Sequence, residues 1–305
     1  MKLQILIPRY NDDPTLLLTS IALQQKVNFA EIGVIICDDG SDEPLALDAY
    51  PFEVDYYACR HRGVSATRNA CLTLATAEYV MFCDADDMFM NSIGLWMVFN
   101  SMPFDSLLSE FLEETNIPDV PFLTHSDDGV FVHGKIHRRQ YLLDNNIWFD
   151  ERLLIHEDSY FNLLVQACTE DLKYCKMPFY LWKWNPDSVC RHDPMYGLKT
   201  YNAFIDSVEA ILNEFLRRGL TDRARNHMVK IVYETYYSMN KPEWADTEYR
   251  APTESRFREF FSKYRSLWDE APDLDKLKVS NIVRQRLLAE GMGMEKQTLE
   301  EWLGE

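Results

Sequence analysis

The sequence predicts an α/β fold: a mostly parallel central sheet flanked by helices, with a helical appendage at the C-terminus. Three observations carry that expectation. Apolar runs at residues 3–7, 32–37 and 78–83 have the length of buried strands, and each runs into turn-forming residues. The segments between them have helical periodicity, and strands alternating with helices at this spacing imply right-handed βαβ crossovers. From Tyr201 onward the apolar spacing is that of helices.

Taken in order, residues 3–7 form the first strand and "PRYNDDP" the turn after it. Asp13 followed by Pro14 reads as an N-cap and first helical residue, opening a helix over "TLLLTSIALQQ". "IGVIIC" is the second strand, closed by "DDGSDEP"; "VDYYACR" reads as the third. "GVSATRNACLTLATA" is a helix with Ser65 near its N-cap, and "EYVMFC" is the fourth strand. Beyond residue 100 the pattern loosens. "VFVHGKIHRR" leads from strand to helix, and "LKYCKM" and "FYLWKW" are short strands. "EDSYFNLLVQACTE" is an amphipathic helix whose two leading acids oppose the positive end of its dipole. "AFIDSVEAILNEFLRRG" and "RFREFFSKYRSLW" are helices of the appendage. The expected division is residues 1–200 and 201–305.

A chain of 305 residues, 47% hydrophobic and 13% aromatic, has the content of a folded globular protein. No apolar run reaches the roughly 20 residues of a membrane span, and the apolar start is too short for a signal peptide. A cytoplasmic protein without stable membrane insertion is therefore expected. The seven cysteines are odd in number and include no CxxC, so neither a disulfide framework nor a zinc-thiolate site is indicated. The first 200 residues hold 30 acidic and 15 basic side chains, the remainder 19 and 16. An N-terminal part so acidic is a poor partner for a phosphate backbone.

In parallel sheets, ligands bind outside the carboxyl ends of the strands. Three polar segments fall there: "PRYND", "CDDGSD" and "CDADD". The last sets Asp84, Asp86 and Asp87 directly after an apolar strand. Crowded carboxylates repel one another and resist burial, so either water solvates them or a cation sits among them. The sequence has no GxGxxG after its first strand, no GxxxxGK[ST], no HExxH and no GxSxG. His133 and His137 are spaced HxxxH but read as strand and turn rather than as a metal site. Mn²⁺ and Mg²⁺ prefer oxygen ligands and can hold carboxylates on one side and a diphosphate on the other. Such an ion stabilises a departing nucleoside diphosphate.

The segments "ILIPRYND", "ICDDGSDE", "RGVSATRNACLTLATAEYVMFCDADD" and "NNIWFDERLLIHEDSYFNLLV" together resemble the family 2 glycosyltransferases of the GT-A fold. The resemblance covers about residues 3–192. It implies a nucleotide-sugar half over about 1–100 and an acceptor half over about 101–200. It further implies metal-dependent, inverting transfer of a sugar from a nucleotide donor, UDP-sugar first among them, by single displacement. Pro8 and Tyr10 match positions on the first strand against the nucleotide. Asp39 matches the carboxylate that meets uracil, Arg68 an arginine near the nucleotide, and Asp84 the acid near the ribose. Asp86 matches the ligand of Mn²⁺ or Mg²⁺. Asp158 matches the general base, with Glu157 as its neighbour; helix-dipole complementation explains the same two acids structurally. "LWKWNPDSVCRH" resembles a late segment with basic residues near the diphosphate, which makes Ser188, Arg191 and His192 candidates, His192 as a further metal ligand or a loop histidine. Arg9 stands where threonine is common and is expected to alter donor contacts.

Acceptor choice is expected in residues 100–150 and the C-terminal helices, with Trp148, Trp182 and Trp184 available for stacking or for the core. A cell-surface glycan, a hydroxymethylated base in phage DNA, and a protein side chain are the acceptors considered. Arg217, Arg218, Arg223 and Arg225 are the place where a phosphate backbone would be met. The rival class is a non-catalytic nucleotide-sugar-binding or interaction module whose acids are vestigial. A nucleotidyltransferase would more naturally carry a basic, glycine-rich loop after the first strand. Nothing in the sequence specifies an oligomer.

Overall fold

The computed structural model describes residues 1–126, 128–186, 188, 193, 195–295 and 297–304. The chain divides into two compact units, Met1–Ser188 and Val189–Glu305.

The first unit is built on a nine-stranded sheet. Its elements run β1 (Leu3–Arg9), α1 (Thr15–Ala22), β2 (Ile32–Asp38), β3 (Glu53–Ala58), α2 (Val64–Leu74), β4 (Tyr79–Phe82), β5 (Met88–Phe89) and α3 (Gly94–Ser101). They continue with β6 (Ser106–Ile117), β7 (Val120–His125), β8 (Lys135–Arg138), α4 (Arg139–Asp144), α5 (Glu157–Cys168) and β9 (Leu172–Trp182). The order across the sheet is β3-β2-β1-β4-β8-β6-β9-β5, with β7 paired to β6. The first four strands are mutually parallel. Beyond β4 the sheet is mixed: β8 lies antiparallel to β4 and β6, while β6 and β9 are parallel.

β2 is buried along its whole length, as a parallel strand covered on both faces must be, and hence its unbroken apolar run. One face of β1 and β2 packs with Leu17, Leu18 and Ile21 of α1 and with Leu95 and Val98 of α3. Full burial of such a side chain stabilises by about 1.5–3 kcal/mol. α3 approaches β9 so closely that a Cβ on Gly94 would stand 2.4 Å from Phe179 Cβ.

Several boundaries differ from expectation, each for a local reason. Pro14 caps α1 rather than opening it, because the Asp13 carboxylate already accepts from the Thr15 N–H and hydroxyl. α1 ends at Ala22, and Gln24 instead bridges to the Asn91 carbonyl and the Leu95 N–H. α2 stops at Leu74, since the Gln4 side chain in β1 accepts from the N–H groups of Thr76 and Ala77. Its cap is Gly63, at φ 92°, not Ser65, which is the second helical residue. The two short strands read from "LKYCKM" and "FYLWKW" are one strand, β9; its register slips between Ser109 and Phe111 of β6, beside Pro178. β5, α3, β6 and β7 were not expected. β7 lies at an open edge of the sheet, with Val120, Phe122 and Leu123 exposed.

The second unit is helical: α6 (Tyr196–Lys199), α7 (Tyr201–Arg217), α8 (Thr221–Ser238), α9 (Arg250–Asp269), α10 (Asp273–Ala289) and α11 (Leu299–Leu303). Its core joins Ile205, Ile211 and Phe215 of α7, Met228 and Val232 of α8, Phe257 and Phe260 of α9, and Trp302. No helix among the described residues is long and apolar enough to cross a membrane.

Candidate active site

The carboxyl ends of β1, β2 and β4 carry the polar segments read from the sequence. After β2, Asp38 is buried and lies against the Arg9 guanidinium; it also accepts from the Tyr56 hydroxyl at 2.7 Å and the Ser41 N–H at 2.7 Å. Burial pushes its carboxyl up, and these donors more than offset that, holding it below the usual carboxylate range. Arg9 therefore ties β1 to β2 and is not free for a donor: its Nε also donates to the Asp12 carbonyl. Asp39 is buried too, accepting from the Arg62 and Gly63 N–H groups at 2.8 Å each, with His61 Nδ1 at 3.0 Å. It thereby fixes the start of α2, where Gly63 adopts a positive φ that a side chain would strain. Tyr10 is 49% exposed, its ring 4.5 Å from that of His61. Pro8 is half-buried in β1, in register with Cys37.

A second cluster follows β4. Arg68 of α2 is buried and donates to Asp84 Oδ1 at 2.9 Å and to Glu157 Oε1 at 2.7 Å. One guanidinium thus joins the end of β4 to the start of α5. Burial alone would weaken its hold on a proton; Asp84 and Glu157 more than restore it. Burial likewise opposes the Asp84 charge, and Arg68 outweighs it, so the Asp84 carboxyl sits low. Asp158, next to Glu157 at the N-terminus of α5, has no such partner. Burial first, and the Glu157 charge second, push it up to about 7. The α5 N-terminus itself is set by His156, in the left-handed region at φ 61°.

Asp86 is half-buried and accepts from the Asn185 side-chain amide at 2.8 Å. Asp87 is fully buried, held by the Tyr180 hydroxyl and the Lys183 N–H, and burial with the charges of Asp84 and Asp86 pushes it well up. Asp12, on the exposed turn after β1, is pushed up to about 6 by desolvation and then by Asp86 and Asp84. The structure therefore brings Arg68, Asp84, Glu157 and Asp158 together, with Asp86 and Asp12 alongside. Asp39, Tyr10 and Pro8 lie at the neighbouring strand ends. Arg191 and His192 lie outside the described residues. Trp148 donates to the Asn146 side chain, Trp182 stacks on His133 at 5.1 Å, and the Trp184 N–H donates to Glu114.

Sequence reasoning missed Asp12, Asp38 and His133. Asp12 and Asp38 are the neglected partners in "NDD" and "CDD", and their strand-end position was the available signal. His133 comes near Asp84 and Asp87, whereas His137 turns to the Ser106 hydroxyl; the HxxxH pair does not act as a unit.

The family pattern described as Glycosyl transferase family 2 matches residues 4–93, which span β1 to β5 with Asp12, Asp38, Asp39, Asp84, Asp86 and Asp87 but not Asp158. The N-terminal part of the chain is a family 2 glycosyltransferase domain. Among curated proteins, the poly(ribitol-phosphate) β-N-acetylglucosaminyltransferase TarS of Staphylococcus aureus is 27% identical over 281 residues, 80% of this chain and 48% of that protein. EpsJ of Bacillus subtilis, an uncharacterized glycosyltransferase, is 24% identical, covering 61% of this chain and 62% of its own. The chain thus spans about half the length of the TarS relatives it matches. Among solved structures, S. aureus TarS 1–349 in complex with UDP-GlcNAc aligns with a TM-score of 0.66 at 18% identity, over 95% of this chain and 92% of that one. The UDP complex of the same fragment gives 0.62 at 19%. These likenesses show that the family 2 domain sits in a GT-A fold with a helical region after it.

Proposed function

We propose that the chain transfers a sugar from a UDP-sugar to an acceptor hydroxyl by a single, inverting displacement. The observation that carries this is the Arg68 bridge from Asp84 to Glu157, which sets Asp158 beside the strand-end carboxylates. In this reading Asp158 takes the proton of the acceptor hydroxyl. A carboxyl at about 7 is well matched to that task near neutral pH. Glu157 is a positioning residue, since its carboxylate is engaged by Arg68. Asp39 meets the uracil ring, with Tyr10 and Pro8 lining the same strand ends, and Asp84 meets the ribose.

The residues fit a divalent ion: the charges of Asp86 and Asp84 raise the cost of ionising Asp12, and a cation would relieve it. Asp86 would hold Mn²⁺ or Mg²⁺. When bound, that ion offsets charge on the departing nucleoside diphosphate.

TarS is named for N-acetylglucosamine transfer to poly(ribitol-phosphate), and one of its structures holds UDP-GlcNAc. An N-acetylhexosamine donor and a glycan or polyol-phosphate acceptor are therefore favoured over a modified DNA base. Three of the four arginines that would meet a phosphate backbone are locally offset: Arg217 and Arg218 share Glu214, and Arg225 lies between Asp222 and Glu270.

The test is calorimetric titration with UDP, GDP and CDP, with and without Mn²⁺, followed by UDP release from UDP-GlcNAc over a panel of polyol-phosphate, glycan and hydroxymethylated DNA acceptors. Mn²⁺-dependent UDP binding and acceptor-dependent release are expected. Failure to bind any of the three nucleotides would overturn the reading in favour of an interaction module with vestigial acids.

A further inference from the structure

Beside Asp86 lies a different set of donors. Asp84, Asp87 and His133 each offer one ligand atom to a common space, and those atoms all lie within 4.8 Å of one another. They come from separate parts of the sheet: the segment after β4 and the approach to β8. Asp87 is fully buried and His133 is 4% exposed.

His133 Nδ1 is buried with no hydrogen-bond partner. It stands 3.7 Å from Asp87 Oδ2, beyond hydrogen-bonding distance. A buried polar atom left this way costs about 1–3 kcal/mol unless something compensates. The ring is not held by a bond at that nitrogen. It is held by stacking, on Tyr180 and Trp182 at 5.1 Å and on Phe131 at 5.7 Å, with Phe111 edge-on. Asp87 is oriented by the Tyr180 hydroxyl on one oxygen and the Lys183 N–H on the other, which leaves each oxygen a lone pair. Both sides of the gap are therefore rigid, and the gap is lined by an imidazole nitrogen and carboxylate oxygens.

Donors held about 2.1 Å from one ion stand roughly 3.0–4.3 Å from each other. The 3.7 Å between His133 and Asp87 falls in that range. The third donor, Asp84, offers an oxygen within 4.8 Å of both, on a side chain 32% exposed. We propose that Asp84, Asp87 and His133 form a second divalent-cation site, distinct from the Asp86 position. A nitrogen donor among oxygens selects Mn²⁺, Co²⁺ or Zn²⁺ over Mg²⁺. The ion ties the segment after β4 to β8 and removes the mutual repulsion of Asp84 and Asp87. It needs no nucleotide, so this inference stands apart from the transferase reading.

The metal-free chain of residues 1–305 is titrated with Co²⁺ in the absence of UDP, by calorimetry and by visible absorption. In an Asp86→Asn background, which removes the proposed Asp86 position, adding His133→Gln is expected to weaken Co²⁺ binding at least tenfold. Should His133→Gln fail to fold, His133→Cys decides the matter, because a ligating thiolate adds a charge-transfer band to bound Co²⁺. Unchanged binding when His133→Gln is added to a folded Asp86→Asn, or no thiolate band in a folded His133→Cys, would each overturn the site.

Discussion

Two strands of the same sheet end in adjacent aspartates, and the two ends are built differently. After β2, Asp38 and Asp39 are surrounded by donors: a guanidinium, a hydroxyl and three backbone N–H groups. After β4, Asp84 has the Arg68 guanidinium, Asp86 an amide, and Asp87 a hydroxyl and one N–H, while their charges raise the cost of ionising Asp87 and Asp12. The same residue type at the same topological place thus does two jobs. The β2 end is complete in the protein alone; the β4 end carries more negative charge than its donors answer. That imbalance, rather than the mere presence of acids, is what marks a place for cation and diphosphate.

The largest effect expected is on catalysis. Asp158→Asn should lower transfer by about 10²–10⁴-fold, the usual contribution of a general base, with UDP affinity unchanged in calorimetry. Full activity in that variant removes Asp158 from the chemistry. Next, Arg9→Met should cost about 3–5 kcal/mol in urea denaturation, because it strands the buried Asp38 charge, and Asp38→Asn added to it should recover most of that. A negligible cost would break the comparison, showing that Tyr56 and Ser41 suffice. Asp86→Ala should weaken UDP binding in Mn²⁺ at least about tenfold, near 1.4 kcal/mol, and leave metal-free binding alone; Asp39→Ala should weaken both.

The smallest effect is in pH dependence, and its sign separates the two ends. kcat/KM should rise with pH as Asp158 loses its proton and level off above about 7. Stability runs the other way. The folded state holds the Asp158 proton more tightly than the unfolded chain, whose carboxyl titrates near 3.8, so this group lowers stability as pH rises from there to about 7. Asp38 is depressed instead: its contribution is present above 3.8 and lost as pH falls. Denaturation from pH 4 to 8 should show the advantage of Asp158→Asn over wild type growing up to about 7, whereas Asp38→Asn should keep its penalty across that range and lose it only below 3.8.

The half of the fold that was legible is the half whose strands are buried on both faces. Ile32–Asp38 and Tyr79–Phe82 expose nothing, so composition alone betrays them. β6 was illegible because it leaves the core part-way: "SLLS" is buried, "EETNI" is not, and its leucines and glutamates favour helix until pairing with β8 and β9 overrides them. β5 has two residues, too few for any pattern. In the site, the acids could be read because strand ends place them. Arg68's two partners, 16 and 89 residues away, could not. Nor could the setting of His133, which depends on aromatic rings from β6, the segment before β8, and β9.

β7 has a consequence for solubility. Among the described residues it pairs only with β6, leaving an open edge, and it presents Val120, Phe122 and Leu123 to water. Such an edge is a template on which another chain can add a strand. Pro121 interrupts it, withholding one N–H from any incoming ladder. Replacing that proline with valine would leave the fold's core untouched and turn the hairpin into a seed for aggregation.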